Sequence, residues 1–483
     1  MPVIAAFAVP HPPLIIPEVG HGRERGIQAT IDAYAEVGRR IAALDPDVLV
    51  ISSPHTVMYA DYLHIAPGAG ARGTFARFGA PGTGCSVDYD EQLVSEICRR
   101  ADAADIPAGT LGERDRELDW GVLVPLHFIE AGYREHAENG HANTDATPRL
   151  RKLPHLPCPI VRLGISGLSP IVHYRLGQII RDAADALGRR MVYVASGDLS
   201  HKLAEDGPYG FAPEGPAFDA LTCDAFASGD FLKLLTCDPS LAERAAECGL
   251  RSFYIMAGAL DRTPVHAELL SHEGPFGVGY GIAAFTPTGD AASDESRAFG
   301  EQYIAHHEHE LKTLRAQESP WVALARFSLE RFILEGRSTD PARDLPAALA
   351  ERLPRELFST RSGAFVSLKK DGQLRGCIGT ILPTRATLAE EICANAISAG
   401  CHDPRFDAVS SDELGELVYD VDVLSTPERV PGPEALDPAR YGVIVSTPDG
   451  RRGLLLPDLD GVDTVEGTAS HRRAERTHRP CPR

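Results

Sequence analysis

The sequence of 483 residues predicts an α/β fold, with a mostly parallel sheet covered by helices in the first part and a smaller α+β domain after it. Short β-branched runs alternate with stretches of helical spacing over the first 285 residues, which favours parallel strands joined by helical crossovers. Beyond that point the alternation stops. The length also exceeds what one ordinary hydrophobic core needs, so more than one domain is expected.

The elements of the first part follow from periodicity. The apolar run Val3–Val9 predicts the first strand. Apolar residues three and four positions apart, from Ile27 to Ile41, predict the first long helix. Further strands are predicted in the runs 47–51, 160–165, 191–195 and 276–285.

The second part has its own start and stop signals. Ser319 and Pro320 are typical of a helix beginning, here one that continues to about residue 334. Thr387 with Glu390 forms a capping-box pattern for a second helix, which Gly400 closes. Strands are predicted in 365–368 and 376–380 around a turn at 369–372, and in 417–424 and 441–446.

A polar stretch, TPTGDAASDESR at 286–297, separates the two parts. We therefore predict a first domain over 1–285, a linker over 286–300 and a second domain over 301–466. The remaining residues, 467–483, contain five arginines and almost no apolar side chains, which predicts a basic, disordered tail.

Composition excludes several functions. Lys and Arg number 48 against 68 Asp and Glu, a net charge of −20, which argues against binding to nucleic acid phosphates or to an anionic membrane. No apolar run reaches the roughly 18 to 20 residues of a spanning helix, and the amino terminus lacks the basic region of a secretory signal. The ten cysteines show no CxxC spacing, so we predict a reducing, cytoplasmic location.

Histidines follow three of the predicted strands. Pro10-His11 ends the first strand, Pro54-His55 ends the second, and His201 lies five residues beyond Ser196, after the strand at 191–195. The carboxyl ends of parallel strands meet at one edge of a sheet, where ligand sites form. Two neutral imidazoles with one carboxylate suit non-haem Fe(II). The residues alone leave the carboxylate open among Glu247, Glu268 and Glu273, with Cys248 as a softer ligand.

Residues 1 to about 285 resemble the class III extradiol dioxygenases, that is, the LigB-type catalytic subunits and their Memo-like relatives. The resemblance is carried by Pro10-His11-Pro12-Pro13, Ser53-Pro54-His55, Gly197-Asp198-Leu199-Ser200-His201 and Glu247-Cys248-Gly249. It implies Fe(II), or another divalent metal, bound by His11, His55 and Glu247. Memo-like members have a cysteine at about this place, which makes Cys248 the alternative third ligand.

The same resemblance implies a reaction. A catecholic or related aromatic substrate and O2 would meet at the iron, His201 would act as acid and base, and Asp198 would orient its loop. Many relatives have Asp-His-Gly where this chain has Asp119-Trp120-Gly121, which places Asp119 and Trp120 in the substrate pocket. An indole can stack on an aromatic ring.

The second part resembles the AMMECR-type domain of the AmmeMemoRadiSam system through Leu374-Arg375-Gly376-Cys377-Ile378-Gly379 and Asp403-Pro404-Arg405-Phe406. Arg375, Cys377, Asp403 and Arg405 are its expected cleft residues. The resemblance implies an alternative function: a metal-binding Memo-like and AMMECR module of a modification pathway without ring cleavage. The chain has no CxxxCxxC motif, so a radical-SAM protein would be a separate partner. A homo-oligomer is also expected.

Overall fold

A computed structural model of the chain describes residues 2–112, 114, 117–139, 153–288, 293–370, 372–425, 428–430, 432, 436–437, 441–446 and 452–455. The chain divides into two compact units, 1–312 and 313–483. Each unit is described by itself. The predicted tail at 467–483 lies outside the described residues.

The described part of the first unit contains ten strands and ten α-helices, the last of which continues to residue 316. The strands are β1 Val3–Val9, β2 Val48–Ser53, β3 Leu63–His64, β4 Gly70–Phe75, β5 Ala80–Asp88, β6 Ala108–Gly109, β7 Ile160–Gly164, β8 Met191–Ser196, β9 Val265–Glu273 and β10 Tyr280–Pro287. The helices are α1 Pro17–Gly20, α2 Gln28–Leu44, α3 Glu91–Ala103, α4 Trp120–Asn139, α5 Pro170–Ala186, α6 Glu214–Ser228, α7 Leu232–Leu235, α8 Pro239–Ala245, α9 Leu250–Ala259 and α10 Phe299–Ala316.

A six-stranded sheet in the order β7-β2-β8-β1-β10-β9 forms the centre of the first unit. The strands β7, β2, β8 and β1 are parallel, whereas β10 is antiparallel to β1 and β9 is antiparallel to β10. The predicted α/β class with a mostly parallel sheet is therefore confirmed. The carboxyl ends of β1, β2 and β8 lie side by side, because β8 pairs with both of the others.

Two hydrophobic cores cover the two faces of this sheet. Alternate residues of β1 separate cleanly, with Phe7 and Val9 in one core and Ala6 and Ala8 in the other, as the two-residue period of a strand requires. Helices α2 and α4 supply the core on one face, and α3, α5, α6 and α9 supply the core on the other. The parallel strands β7, β2, β8 and β1 are thus almost entirely buried on both faces, which explains their nearly continuous apolar sequences.

Helix α10 begins against the first unit. Phe299 is buried in a core of that unit, and Tyr303 packs against the same core. The ring of Phe299 lies 5.9 Å from the ring of Phe231. The first turns of α10 therefore belong with the first unit, although the sequence placed residues from 301 onward in the second domain.

The second unit is a smaller α+β structure. Its elements are α11 Pro320–Glu335, α12 Ala347–Ala350, β11 Ala364–Lys370, β12 Gln373–Gly379, α13 Leu388–Cys401, β13 Val418–Val423, β14 Val443–Ser446 and β15 Arg452–Leu455. The three-stranded antiparallel sheet has the order β12-β11-β13, and β14 pairs with β15. Both predicted helix starts are present: the Ser319 hydroxyl accepts a hydrogen bond from the Val322 amide, 3.3 Å away, and the Thr387 hydroxyl accepts one from the Glu390 amide at 3.2 Å. Gly400 lies inside α13, which ends one residue later than predicted.

Two features of the first unit were not predicted. Strands β3 to β6 lie within residues 63–109, and β9 forms an edge of the large sheet. Strands β3 and β6 have only two residues each, and β4 and β5 contain two glycines each, so their strand periodicity is weak. Strand β9 is half-buried or exposed throughout its length. Among the described residues, no helix combines the length and the apolar character that crossing a membrane requires.

Candidate metal centre

Three neighbouring strands deliver the polar residues of one site. His11 follows β1, His55 follows β2 and Asp198 follows β8, each two residues beyond its strand. Since β8 lies between β1 and β2 in the sheet, the three loops emerge together at its carboxyl edge. Cys248 arrives from outside the sheet, two residues before helix α9.

His11 is buried, with 1% of its surface exposed. Its Nδ1 lies 3.0 Å from the hydroxyl of Ser196, and that hydroxyl donates its hydrogen to the carbonyl of Gly121 at 2.5 Å. A hydroxyl has one hydrogen to donate, so His11 donates from Nδ1 and its Nε2 carries a free lone pair. The tautomer of His11 is therefore the one that binds a metal through Nε2.

His55 faces His11. The two Nε2 atoms lie 2.9 Å apart, and the rings meet edge to face with centroids 4.6 Å apart. The His55 ring stacks on the indole of Trp120 at 4.1 Å. The His55 amide donates to the hydroxyl of Ser53 at 3.2 Å, and that hydroxyl donates to Asp119 Oδ1 at 2.7 Å.

Cys248 completes a group of three possible metal ligands with His11 and His55. Its Sγ lies 3.6 Å from His11 Nε2 and accepts a hydrogen bond from the Asp198 amide, 3.3 Å away. Two glycines allow this approach, because a Cβ on Gly197 would lie 2.1 Å from the Cα of Gly249. Backbone this close leaves no room for a side chain.

Asp198 and His201 lie next to this group. Asp198 Oδ1 accepts a 2.7 Å hydrogen bond from the His11 amide, and its Oδ2 is 3.9 Å from Nε2 of both His11 and His201. His201 donates from Nδ1 to the Ala246 carbonyl at 2.5 Å, which leaves Nε2 facing Asp198. His201 keeps 17% of its side chain exposed, so solvent or a ligand can reach it. The structure thus brings together His11, His55, Asp198, His201 and Cys248.

The glutamates considered as third ligand lie elsewhere. Glu247 turns toward helix α9, where its carboxylate accepts a 2.7 Å hydrogen bond from the Leu250 amide. Glu268 pairs with Arg40 at 2.6 Å. Glu273 accepts bonds from the amide and hydroxyl of Thr30, both at 2.7 Å. Each carboxylate has a structural partner, whereas the Cys248 thiol points at the two imidazoles.

Burial controls the charges of the site. Burial, followed by repulsion from His201, lowers the pKa of His11 to about 3. Burial and then His11 lower the pKa of His55 to about 3 as well. Burial raises the pKa of the Cys248 thiol, with Asp198 and Glu247 adding to the effect, and burial also raises the pKa of Asp198. Both imidazoles are therefore neutral ligands at neutral pH, and the thiol needs a nearby cation to lose its proton.

The arrangement fits a bound cation. The ligand atoms of His11, His55 and Cys248 all lie within 4.8 Å of one another. Nitrogen and sulfur ligands at about 2.0–2.3 Å from one ion span similar separations. His11 Nε2 is a buried lone pair that faces a second imidazole nitrogen and a thiol, which a positive ion would stabilise. Two imidazoles and a thiolate are ligands for zinc, iron or copper, so the donors do not select one metal.

The predicted pocket residues lie beside the centre. Trp120 is half-buried between contacts with His55 and the guanidinium of Arg77, which lies 5.3 Å from the indole centroid. Asp119 contacts Ser53 and the Val122 amide instead of the open site. Burial raises the pKa of Asp119. Ser53 and Ser196, which support the two histidines, were not predicted as site residues. The sequence signal that could have indicated them is that each is the last residue of a strand that leads into the site.

The expected cleft residues of the second unit form an internal network. Asp403 is buried and accepts hydrogen bonds from the Cys377 amide at 2.9 Å and from the Arg405 guanidinium at 2.7 Å. Arg375 instead makes a two-pronged pair with Glu413, at 2.9 and 3.0 Å. These contacts tie the turn after α13 to β12. Three of the four residues are thus brought together, and Arg375 is engaged elsewhere.

Two family models match the chain. The model described as the catalytic LigB subunit of aromatic ring-opening dioxygenase matches residues 5–283, and the AMMECR1 model matches residues 322–474. Protein CA_C1420 of Clostridium acetobutylicum is 37% identical over 468 residues, which cover 95% of this chain and 92% of that protein. A Thermotoga maritima protein is 52% identical over 150 residues, 31% of this chain and 81% of its own length.

Solved structures are also similar to parts of the chain. The uncharacterized protein PH0010 of Pyrococcus horikoshii is 32% identical, with 29% of this chain and 69% of that chain covered and a TM-score of 0.25. The uncharacterized protein JW3007 of Escherichia coli K12 is 15% identical, with 58% and 99% covered and a TM-score of 0.36. On the match over 5–283 and the full-length similarity to the clostridial protein, the chain belongs to the LigB family and carries an AMMECR1 domain after its LigB domain.

Proposed function

We propose that this chain is a Memo-like metal-binding protein whose site consists of His11, His55 and Cys248. The observation that carries the proposal is the convergence of two neutral imidazoles and a thiol on one point, while Glu247 turns away. A 2-His-1-carboxylate set is typical of oxygenase iron, and a thiolate in the third position departs from it. The function that fits is the metal-dependent module of an AmmeMemoRadiSam-type pathway.

The surrounding residues prepare the ligands. The Asp198 amide donates to the Cys248 sulfur, which stabilises negative charge on it. Ser196 holds His11 in the tautomer with a free Nε2. When bound, a divalent transition metal would supply Lewis-acid or redox chemistry at this point. Fe(II) is our first candidate metal, and Zn(II) suits the same donors.

His201 is the residue suited to moving protons. Its Nδ1 is fixed on the Ala246 carbonyl, its Nε2 faces the Asp198 carboxylate, and it is partly exposed. An imidazole held this way accepts a proton from a ligand, and a neighbouring carboxylate stabilises the resulting charge. Asp198 then acts by orienting both His11 and His201.

Metal titration tests the site. The full chain is purified without metal and titrated anaerobically with Co(II), Fe(II) and Zn(II), and the Cys248→Ser and Glu247→Gln variants are compared with it. We expect one equivalent of metal, and a sulfur-to-cobalt charge-transfer band that Cys248→Ser removes and Glu247→Gln preserves. A band that survives Cys248→Ser, or metal binding lost in Glu247→Gln, would contradict the proposal.

Ring cleavage is the second candidate function. Two observations favour it: the LigB match covers residues 5–283, nearly all of the six-stranded sheet, and Trp120 stacks on His55 beside the centre, where an aromatic substrate could contact it. The proposal is a non-haem Fe(II) extradiol dioxygenase acting on a catecholic or related aromatic substrate with O2. Oxygen uptake by the Fe(II)-loaded chain with a panel of catechols tests it, with His201→Phe as the variant. Absence of uptake, or uptake unchanged in His201→Phe, excludes this function.

We further propose a cytoplasmic homo-oligomer that works with a separate radical-SAM protein. The radical-SAM partner is suggested by the pairing of a LigB and an AMMECR1 domain in one chain, two of the three components that the AmmeMemoRadiSam name records. Affinity purification of the chain from its own cells under anaerobic conditions would test the partner. Recovery of an iron–sulfur protein in stoichiometric amount supports the proposal, and its absence under cross-linking argues against it.

A further inference from the structure

Three consecutive residues at the start of helix α4 support the two histidines of the site, one by ring stacking and two through serine hydroxyls. The Asp119 carboxylate accepts a hydrogen bond from the Ser53 hydroxyl at 2.7 Å, and that hydroxyl accepts one from the His55 amide at 3.2 Å. The Trp120 indole stacks on the His55 ring at 4.1 Å. This segment therefore fixes both the backbone and the ring plane of His55.

The third residue acts on the other histidine. The Gly121 carbonyl accepts the hydrogen of the Ser196 hydroxyl at 2.5 Å, and this leaves Ser196 to accept from His11 Nδ1 at 3.0 Å. Without that carbonyl, the Ser196 hydrogen could turn toward His11 and favour the opposite tautomer, whose Nε2 carries the hydrogen. Gly121 must also lack a side chain, because a Cβ would lie 2.3 Å from the Ser53 hydroxyl.

We propose that residues 119–121 are a positioning segment that sets the orientation of His55 and the tautomer of His11, and that they control metal binding without touching the metal. The inference rests on the proposed metal site of His11, His55 and Cys248. It assigns Asp119 to ligand support rather than to substrate contact. Hydrogen-bond partners of metal-binding histidines commonly change metal affinity by about 10- to 100-fold when removed.

Two variants of the full chain test the two arms of the segment, with Co(II) as the probe. Ser196→Ala removes the acceptor of His11 Nδ1, and Asp119→Ala removes the acceptor of Ser53. We expect each to bind Co(II) about 10- to 100-fold more weakly than the wild type. Asp119→Asn keeps an oxygen at the same position, so it should bind close to the wild-type level.

Ser52→Ala is the matched control. Ser52 precedes Ser53 in β2 and is equally buried, but its hydroxyl contacts Ser252 on the opposite face of the sheet. This variant should lose stability in thermal unfolding and keep its Co(II) affinity. If Ser196→Ala and Asp119→Ala weaken Co(II) binding no more than Ser52→Ala does, their effect is general destabilisation and the inference is wrong.

A second measurement does not depend on metal. Nitrogen-15 NMR of the histidine rings in the metal-free chain should give the Nδ1–H tautomer for His11, and Ser196→Ala should change the tautomer ratio. An Nε2–H tautomer in the wild type, or an unchanged ratio in the variant, overturns the inference. If the wild-type chain binds no Co(II), the proposed function and the inference fail together, whereas binding that Cys248→Ser abolishes and Ser196→Ala leaves intact removes the inference alone.

Discussion

The carboxylate of Glu247 accepts a 2.7 Å hydrogen bond from the backbone amide of Leu250, in the first turn of helix α9. The residue next to it, Cys248, directs its sulfur at His11 instead. Adjacent side chains therefore have different roles: Glu247 satisfies a free amide at the start of the helix, and Cys248 faces the proposed metal site. Which of these two side chains faces the imidazoles determines whether the site offers a carboxylate or a thiolate as its third ligand.

Two variants of Glu247, to glutamine and to alanine, distinguish a helix-capping role of this residue from a metal-binding role. Glutamine can still accept from Leu250, so the free energy of unfolding should change little, whereas alanine should lower it by about 1 kcal/mol, as other lost helix caps do. Urea unfolding followed by circular dichroism measures the difference. Both variants should retain stoichiometric metal, and loss of metal from either would show that Glu247 is a ligand.

Much of this site could be predicted because parallel strands end at a common edge. His11, His55 and the Asp198 to His201 segment follow three strands whose apolar runs are clear in the sequence. The choice between Glu247 and Cys248 could not be made in the same way. These residues lie in a turn between α8 and α9, where Ala246 takes a left-handed conformation with φ of 53°. Side-chain direction in such a turn has no periodicity to reveal it.

In the second unit, too, local elements could be predicted from the sequence but long-range contacts could not. The strands and caps around β11, β12 and α13 were predicted from local signals. The pairing of Arg375 with Glu413 joins residues 38 positions apart, and no local pattern indicates which carboxylate a given arginine will meet. Arg375 was therefore expected in a cleft with Cys377, Asp403 and Arg405, whereas its guanidinium is already bound.

Asp219 should be a main support of the loop that carries His201. It is 2% exposed, accepts from the Ser200 amide at 2.8 Å, and lies 2.7 Å from His272 Nε2. Asp219→Ala leaves the buried Ser200 amide unpaired and removes the partner of His272, so we expect a loss of about 2 to 3 kcal/mol in the free energy of unfolding. Trp120 fluorescence during urea unfolding, in a Trp321→Phe background, reports on this unit.

Glu268→Gln serves as the comparison for Asp219. Glu268 is also paired with a basic group, Arg40, but its side chain is 32% exposed. Partly solvated ion pairs of this kind contribute about 0 to 1 kcal/mol. If Asp219→Ala and Glu268→Gln lower the free energy of unfolding equally, burial does not determine the strength of these pairs, contrary to our expectation.

The two partners of the Asp403 and Arg405 pair should differ in their effect on the second unit. Asp403 is buried and accepts from both Cys377 and Arg405, whereas 53% of the Arg405 side chain is exposed. Asp403→Ala leaves the Cys377 amide without its acceptor and should lower the free energy of unfolding by about 2 kcal/mol. Arg405→Ala exposes its partner to water and should cost about 1 kcal/mol or less. Urea unfolding followed by Trp321 fluorescence in a Trp120→Phe background measures both, and a larger effect of Arg405→Ala would contradict the assignment.

Glu413 should make the second unit sensitive to acid. Its hydrogen bonds with Arg375 lower the pKa of Glu413 from 4.5 to about 2. A carboxyl group with a lower pKa in the folded state stabilises the fold above its unfolded pKa and loses that contribution as pH falls through the folded value. The contribution, about 2 kcal/mol for charged hydrogen bonds in a partly buried pair, should therefore be complete above about pH 4.5 and disappear toward pH 2. The second unit should therefore unfold at a lower urea concentration near pH 3 than near pH 6. Trp321 fluorescence in a Trp120→Phe background measures this difference. Glu413→Gln should flatten this difference, and an unchanged pH dependence in Glu413→Gln would assign acid sensitivity to other carboxylates.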